Sequence, residues 1–268
     1  MKIRISIITI LIAMIMTGGA CNKDSGGLTL RTGVLAIGME IGYPPMEYYA
    51  SDGKTPVGFD VEMGRAIAGK LGLKPDFVDT SWDGIFDGVN ASKYDCIISA
   101  VTINSSRLAA YNFSKPYLVN TLAMVILKGS RITARSPEEC VNLAVAFQSD
   151  TTSETYMNEL ASEGLRYTAR RYDKVMYCFD ELRLGRVDAV ITDLPVAAGY
   201  VSTANSPFEI VWVSPEPEEF GICLKKGNED LTKALNKALD DLYAEGTLQR
   251  ISQKYFEADL VSQAWNNK

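Results

Sequence analysis

From residue 32 onward, short runs rich in β-branched residues alternate with longer stretches whose apolar residues recur at helical spacing, and this alternation constrains the fold more than any other feature. TGVLAIGM (32–39) reads as a strand and Tyr43-Pro44-Pro45 as a turn. In FDVEMGRAIAGKLG (59–72), Val61, Met63, Ile67 and Leu71 share a helical face and Gly72 ends the pattern. KPDFVDT (74–80) is a second strand, WDGIFDGVN (82–90) a short helix and YDCIISAV (94–101) a third, nearly continuous apolar strand. Strands separated by helices pair in parallel through crossovers rather than as hairpins.

The pattern then restarts. After FSKPYLVNTLAMVILK come a strand LAVAF (143–147), a helix from Thr152 to about Ser162, a helix from Asp173 to Leu184 and a strand VDAVITD (187–193). A second α/β unit therefore follows the first, each of about a hundred residues and within ordinary domain size. The last segment holds a strand GICLKK (221–226) and a helix with Leu231, Leu235, Leu239 and Leu242 on one stripe. Periodicity alone does not say which unit this segment joins.

The chain has 268 residues and no histidine, which removes Ser-His-Asp and Cys-His nucleophile pairs and HExxH zinc sites. No cysteine spacing suits a metal, and neither metal nor cofactor is expected. The net charge of −6 lacks the basic footprint that holds nucleic acid.

The N-terminus has its own logic. Lys2 and Arg4 precede an apolar run from Ile5 to Met16, and Gly18, Gly19 and Ala20 lead to Cys21. The run is shorter than the roughly 20 residues that a spanning helix needs, and basic start, apolar run and small residues have the form of a secretory signal over residues 1–20. Its removal takes away Lys2 and Arg4 and moves the net charge from −6 to −8. The setting of Cys21 resembles a bacterial lipoprotein cleavage site, with Gly18 where a bulkier aliphatic residue is usual. Residues 21–29, polar and glycine-rich at their start, suit a tether between a lipid anchor and the folded body. Cys96, Cys140, Cys178 and Cys223 remain, with Cys96 and Cys223 in apolar runs that suit free buried thiols. Their pairing stays open.

Two loops carry candidate binding chemistry. SAVTINSSR (99–107) follows the carboxyl end of the third strand, where ligands bind in open parallel sheets; Thr102 offers a hydroxyl and Arg107 a planar fork for a carboxylate. Taken alone, this reads as a Ser-rich turn with a solvated arginine. QSDTTSE (148–154) joins a strand to a helix that Thr151 or Thr152 caps. Asp193 ends VDAVITD and reads equally as a partner for a ligand ammonium or as an N-cap. Tyr43 and Trp82 lie at strand mouths, as cavity walls or as core filler.

With these residues in view, the chain resembles the bacterial extracellular solute-binding proteins of family 3, the polar amino-acid receptors of ABC importers. GFDVEMGRAIAGKL (58–71) fits the family signature. IGMEIGYPPM, the Trp82-Asp83-Gly84 start, SAVTINSSR with FSKPY, AFQSDTTSE and GRVDAVITD resemble it in the same order, from about residue 34 to Phe256. The resemblance implies a two-lobed periplasmic-binding-protein-like α/β fold, each lobe a mainly parallel sheet flanked by helices, joined by two hinge strands. It implies lobe 1 over 30–117 and 219–268 and lobe 2 over 118–218. It further implies that Arg107, Thr102 and the Ala100 amide bind an α-carboxylate with help from Thr152, that Asp193 binds the ammonium, and that Tyr43 and Trp82 sandwich the side chain. Ser99 belongs to the same lining. Glu40 and Asp60 fall where receptors for basic amino acids place acidic partners, and Gln148 adds a polar wall. Asp60 has a second reading as the cap of the helix that follows it.

The chain departs from the family pattern at Asp150, where Gly is usual, and at Asn104, where Thr is usual. What the resemblance implies is an extracytoplasmic, non-enzymatic receptor: a monomer that closes on a free L-amino acid, polar or basic, and hands it to the permease subunits of an ABC importer. The alternative on the same scaffold is a cyclohexadienyl or arogenate dehydratase, which needs a carboxylic acid of raised pKa in the cleft.

Overall fold

The computed structural model describes residues 27–203 and 205–266. Residues 1–26, on which the expected signal segment, Cys21 and the start of the expected tether fall, lie outside the described residues.

The first unit runs β1 (Val34–Met39), a short hairpin of β2 (Tyr48–Tyr49) and β3 (Pro56–Val57), α1 (Phe59–Lys70), β4 (Lys74–Asp79), α2 (Trp82–Asn90), β5 (Cys96–Ile97), α3 (Ser105–Ala110) and β6 (Tyr111–Phe113). β7 (Leu118–Asn120) leads into the second, made of β8 (Leu122–Leu127), β9 (Ala144–Gln148), α4 (Thr152–Ser162), β10 (Thr168–Tyr172), α5 (Val175–Arg183), β11 (Ala189–Asp193), α6 (Leu194–Val201) and β12 (Phe208–Val213). β13 (Glu218–Phe220) carries the chain back to β14 (Cys223–Lys225), α7 (Glu229–Ala244) and α8 (Thr247–Phe256).

Two five-stranded sheets result, in the orders β4-β1-β5-β14-β6 and β10-β9-β11-β8-β12. In the first, β1 pairs in parallel with β4 and β5, and β14 runs against β5 and β6. In the second, β9 pairs in parallel with β10 and β11, and β8 runs against β11 and β12. Each sheet thus holds one reversed strand, and in both lobes it follows a crossing between lobes. The crossings, β7 and β13, pair antiparallel with Glu218 opposite Asn120. Because β14 pairs with β5 and β6, the C-terminal segment joins the first sheet.

Burial follows from the pattern of the sequence. Leu35 through Met39 are all buried in β1, as a strand covered on both faces requires. Leu231, Leu235, Leu239 and Leu242 of α7 are at most 3% exposed, and each contributes about 2 kcal/mol of transfer free energy. Gly58 precedes α1 with φ 128°, and a Cβ there would lie 2.2 Å from the Met46 carbonyl oxygen, so the turn into α1 has room only for glycine. Cys96, Cys140, Cys178 and Cys223 are free and buried.

The third strand is shorter than its apolar run suggests. Pairing covers only Cys96–Ile97, because Ala100 takes φ 46° and turns the chain out of the ladder toward the other lobe. Among the elements that the sequence does not signal clearly are β10 and α3.

Candidate ligand-binding cleft

The carboxyl ends of β1, β5, β9 and β11 face one another between the lobes and enclose a narrow cavity. From the first lobe, Glu40, Tyr43, Trp82, Ser99, Ala100, Thr102 and Arg107 line it; from the second, Gln148, Thr152 and Asp193 do so. Of the residues singled out in the sequence, Asp60 alone of the first lobe's set is not in the lining. A larger groove behind the hinge, between α6 and the end of α8, has walls such as Val119, Leu194, Pro207 and Leu260. Charges converge in the smaller cavity, so the chemistry belongs there.

The lobes touch across the cavity. Tyr43 donates to Asp193 Oδ2 at 2.6 Å, Gln148 to Glu40 Oε2 at 2.7 Å, and the Trp82 indole N–H to the Asp150 carbonyl at 3.2 Å. The structure is a closed clamshell.

Arg107 sits in the first turn of α3, whose N-cap is Asn104: Asn104 Oδ1 accepts the Arg107 amide at 2.9 Å. The guanidinium lies against the rings of Trp82 and Phe86, 5.5 and 5.1 Å from their centroids. It donates to the carbonyls of Thr102 at 3.0 Å and Asp150 at 3.4 Å, and makes no salt bridge among the described residues. Burial pulls its pKa below the ordinary arginine value. A partly desolvated cation without a counter-charge is costly, and an anion at the free part of the fork offsets that cost.

Thr151 and Thr152 divide the work at the start of α4. Thr151 is the N-cap and accepts the Glu154 amide at 3.4 Å, while Glu154 accepts the Asp150 amide at 2.8 Å. Thr152 lines the cavity, and its hydroxyl donates to Glu218 Oε2 at 3.2 Å. Asp150 adopts φ 60°, a left-handed geometry that Asp tolerates, so the loop keeps a glycine-like turn without glycine.

Asp193 stands at the N-cap position of α6 but makes no side-chain capping bond. Its carboxylate instead accepts Tyr43 on one oxygen and Asn120 on the other, each at 2.6 Å. Of the two readings of this residue, the geometry follows the one that aims the carboxylate into the cleft. Burial, and then the nearby Glu218, raise its pKa to about 7.

Two expectations need correction. Asp60 lies under the cavity wall: it is fully buried, and its Oδ2 accepts the Ala100 amide at 2.8 Å and the Tyr117 hydroxyl at 3.0 Å. It neither caps α1 through its side chain nor lines the cavity. The Ala100 amide is correspondingly occupied, because the left-handed turn at Ala100 points its N–H down at Asp60. Ala100 lines the cavity, but its amide is not free for a ligand carboxylate.

The acidic wall is richer than the sequence suggests. Glu47, from the loop after the diproline, lines the cavity and accepts the Ser99 hydroxyl at 2.6 Å, while Ser99 Oγ accepts the Glu40 amide at 3.0 Å. Burial raises Glu40 to about 7 and holds Glu47 well above the carboxylate range. Glu40 Oε1 and Glu47 Oε2 are buried without partners. Beneath the floor, Glu218 of the second hinge strand accepts Asn120 at 3.1 Å, Thr152 at 3.2 Å and Thr102 at 3.3 Å, all on Oε2. Nothing in the spacing of YPPMEYY marks Glu47, and Glu218 sits in an acidic run, PEPEEF, that reads as solvated.

Two α/β lobes on two crossing strands, shut over a cavity with one guanidinium and several carboxylates, define a bilobal binding-protein fold. The chain belongs to the bacterial extracellular solute-binding proteins, family 3, whose sequence profile matches residues 35–258. It is 32% identical over 229 residues to the L-cystine-binding protein TcyJ of Escherichia coli K12, covering 85% of each chain. An ancestral arginine-binding protein bound to arginine superposes with a TM-score of 0.80 at 35% identity, over 84% of this chain and 98% of that one. AncCDT-1, an ancestral amino acid-binding protein that is a precursor of cyclohexadienyl dehydratase, superposes with a TM-score of 0.78 at 30% identity, over 84% and 96%.

Proposed function

We propose that this protein is the extracytoplasmic receptor of an ABC importer, that it captures one free L-amino acid by lobe closure, and that it delivers the amino acid to the importer's membrane subunits. The observation that carries this reading is the half-buried Arg107, without a carboxylate partner among the described residues, sharing one closed cavity with Asp193 from the other lobe. A zwitterion matches both: its carboxylate engages Arg107 with the hydroxyls of Thr102 and Thr152, and its ammonium engages Asp193. Only closure brings the two ends into register, so the ligand favours the closed state by its differential affinity.

The side chain points at Glu40, Glu47 and Gln148. Two unpartnered buried carboxylate oxygens there favour a polar or cationic distal group, because burying such oxygens unpaired is costly. Relatives named for cystine and arginine fit that chemistry. The reading extends to an exported monomer, held to a membrane through a lipid on Cys21 with residues 21–29 as tether. Among the described residues no helix is long and apolar enough to cross a membrane.

Isothermal titration with arginine, lysine, histidine, glutamine and cystine tests the proposal. One of these binds one-to-one, and Arg107→Ala abolishes that binding; unchanged affinity in the variant removes the site. Mass spectrometry of metabolites released on denaturing the purified protein names the ligand independently.

A second reading is a dehydratase, favoured by the carboxyls of Glu40 and Asp193 held at about 7 inside the cleft, where a general acid needs its proton near neutral pH. Incubation with prephenate and arogenate decides between them: aromatic product puts the enzyme first.

A further inference from the structure

The hydroxyls of Thr102 and Thr152 come from different lobes, yet both donate to one oxygen of Glu218. A threonine hydroxyl has a single proton. While that proton points at Glu218, the hydroxyl presents lone pairs to the cavity, the wrong polarity for an incoming carboxylate. Glu218 is placed firmly enough to hold this arrangement: it lies on β13, directly opposite Asn120 of β7, and the Asn120 amide binds the same oxygen at 3.1 Å.

We propose that Glu218 is an internal stand-in for the ligand's α-carboxylate, a positioning residue that occupies the threonine hydroxyls of both lobes in the ligand-free protein and so sets the affinity of the site. This rests on the reading above, in which the α-carboxylate binds at Thr102, Arg107 and Thr152. To bind there, a ligand has to turn two hydroxyls away from a carboxylate that already holds them and to place its own negative charge near that carboxylate. Both effects weaken binding, and both favour release, since the stand-in recovers the hydroxyls as the ligand leaves. A hinge carboxylate of this kind suits a receptor that must give its cargo up.

Glu218→Gln is the direct test. The amide keeps the size of the side chain and removes its charge, and its N–H groups can donate to the threonine oxygens, turning their protons toward the cavity. Titrations of wild type and variant use two pairs of probes, L-arginine with its decarboxylated counterpart agmatine and L-cystine with cystamine. The variant is expected to bind the amino acid about tenfold more tightly, the effect of one charge-assisted hydrogen bond, and the decarboxylated amine with unchanged affinity. Weaker or unchanged binding of the amino acid overturns the inference. An equal change for amino acid and amine also overturns it, since Glu218 would then act on the ammonium or on the fold. Should the variant melt like an unfolded chain, Glu218→Asp replaces it: the shorter carboxylate no longer reaches both hydroxyls, and the same tightening is expected. Arg107→Ala separates the two levels. If it leaves amino-acid binding intact, or wild type binds none of arginine, lysine, histidine, glutamine and cystine, the functional reading fails and this inference with it; if it abolishes binding while Glu218→Gln brings no gain, only the role of Glu218 fails.

Discussion

The two lobes are built alike and furnished differently. Both sheets have five strands with one reversed strand next to an edge, yet the first lobe lines the cavity with the guanidinium, the aromatic rings and two of the unpartnered acids, while the second brings Gln148, Thr151, Thr152 and Asp193. The difference lies in the loops at the strand ends, which the shared scaffold leaves free to vary. Under the proposed function this is a division of labour: the first lobe carries most of the lining, and the second adds Gln148, Thr151, Thr152 and Asp193.

Arg107→Ala is the strongest test of that division. It takes the only cation from the cavity lining and leaves a ligand carboxylate buried without a partner, a loss of about 3 kcal/mol or more, so titration calorimetry should show binding weakened by at least about a hundredfold. Retained affinity would break the comparison at its root. Asp193→Asn in the second lobe comes next. It is expected to weaken binding by roughly 2 kcal/mol, mostly through faster dissociation in surface plasmon resonance, because Asp193 engages its partner on closure; an effect confined to the association rate would contradict the assignment of closure to this lobe.

A smaller effect involves both lobes. Glu40, Asp60 and Asp193 have folded pKa values raised to about 7 from 4.5, 3.8 and 3.8. A carboxyl raised on folding keeps its proton longer in the native state, so its contribution is fully present below the unfolded value and is lost as pH rises through the folded one. Calorimetric melting of the ligand-free protein is therefore expected at lower temperature at pH 8 than at pH 5. A cationic ligand narrows the gap by favouring the ionised acids. A melting temperature that rises across this window would refute the acidic wall. Least of all, Thr151→Ala removes the cap of α4 and is expected to cost about 1 kcal/mol of stability with less effect on affinity than Thr152→Ala; the reverse ranking would exchange the roles of the two threonines.

The fold was legible where burial imposes a period. β1, α1 and α7 have apolar residues on one face or on both, and their positions follow from the spacing alone. β10 was hidden because TARRY is an edge strand whose residues are exposed or half-buried, so polar side chains interrupt the alternation. α3, with no buried residue, left no stripe to read. In the cleft, Arg107, Thr102 and Asp193 were candidates at strand ends, but read alone Arg107 passed for a solvated turn residue and Asp193 equally for an N-cap, and only the family resemblance gave them roles. Ala100 and Asp60 misled, since a single left-handed residue decides where an amide points and nothing in the run of residues announces it. Glu47 and Glu218 were invisible for a related reason: acids in loops look solvated until the chain folds over them.

The bond from the Trp82 indole to the Asp150 carbonyl has a practical consequence. Trp212 and Trp265 are the chain's other tryptophans, and neither lines the cavity. Opening would wet the Trp82 ring and separate its indole N–H from the Asp150 carbonyl of the other lobe, changing the colour and yield of its emission. The molecule carries its own optical gauge of the clamshell's position, and no dye need be attached to follow it.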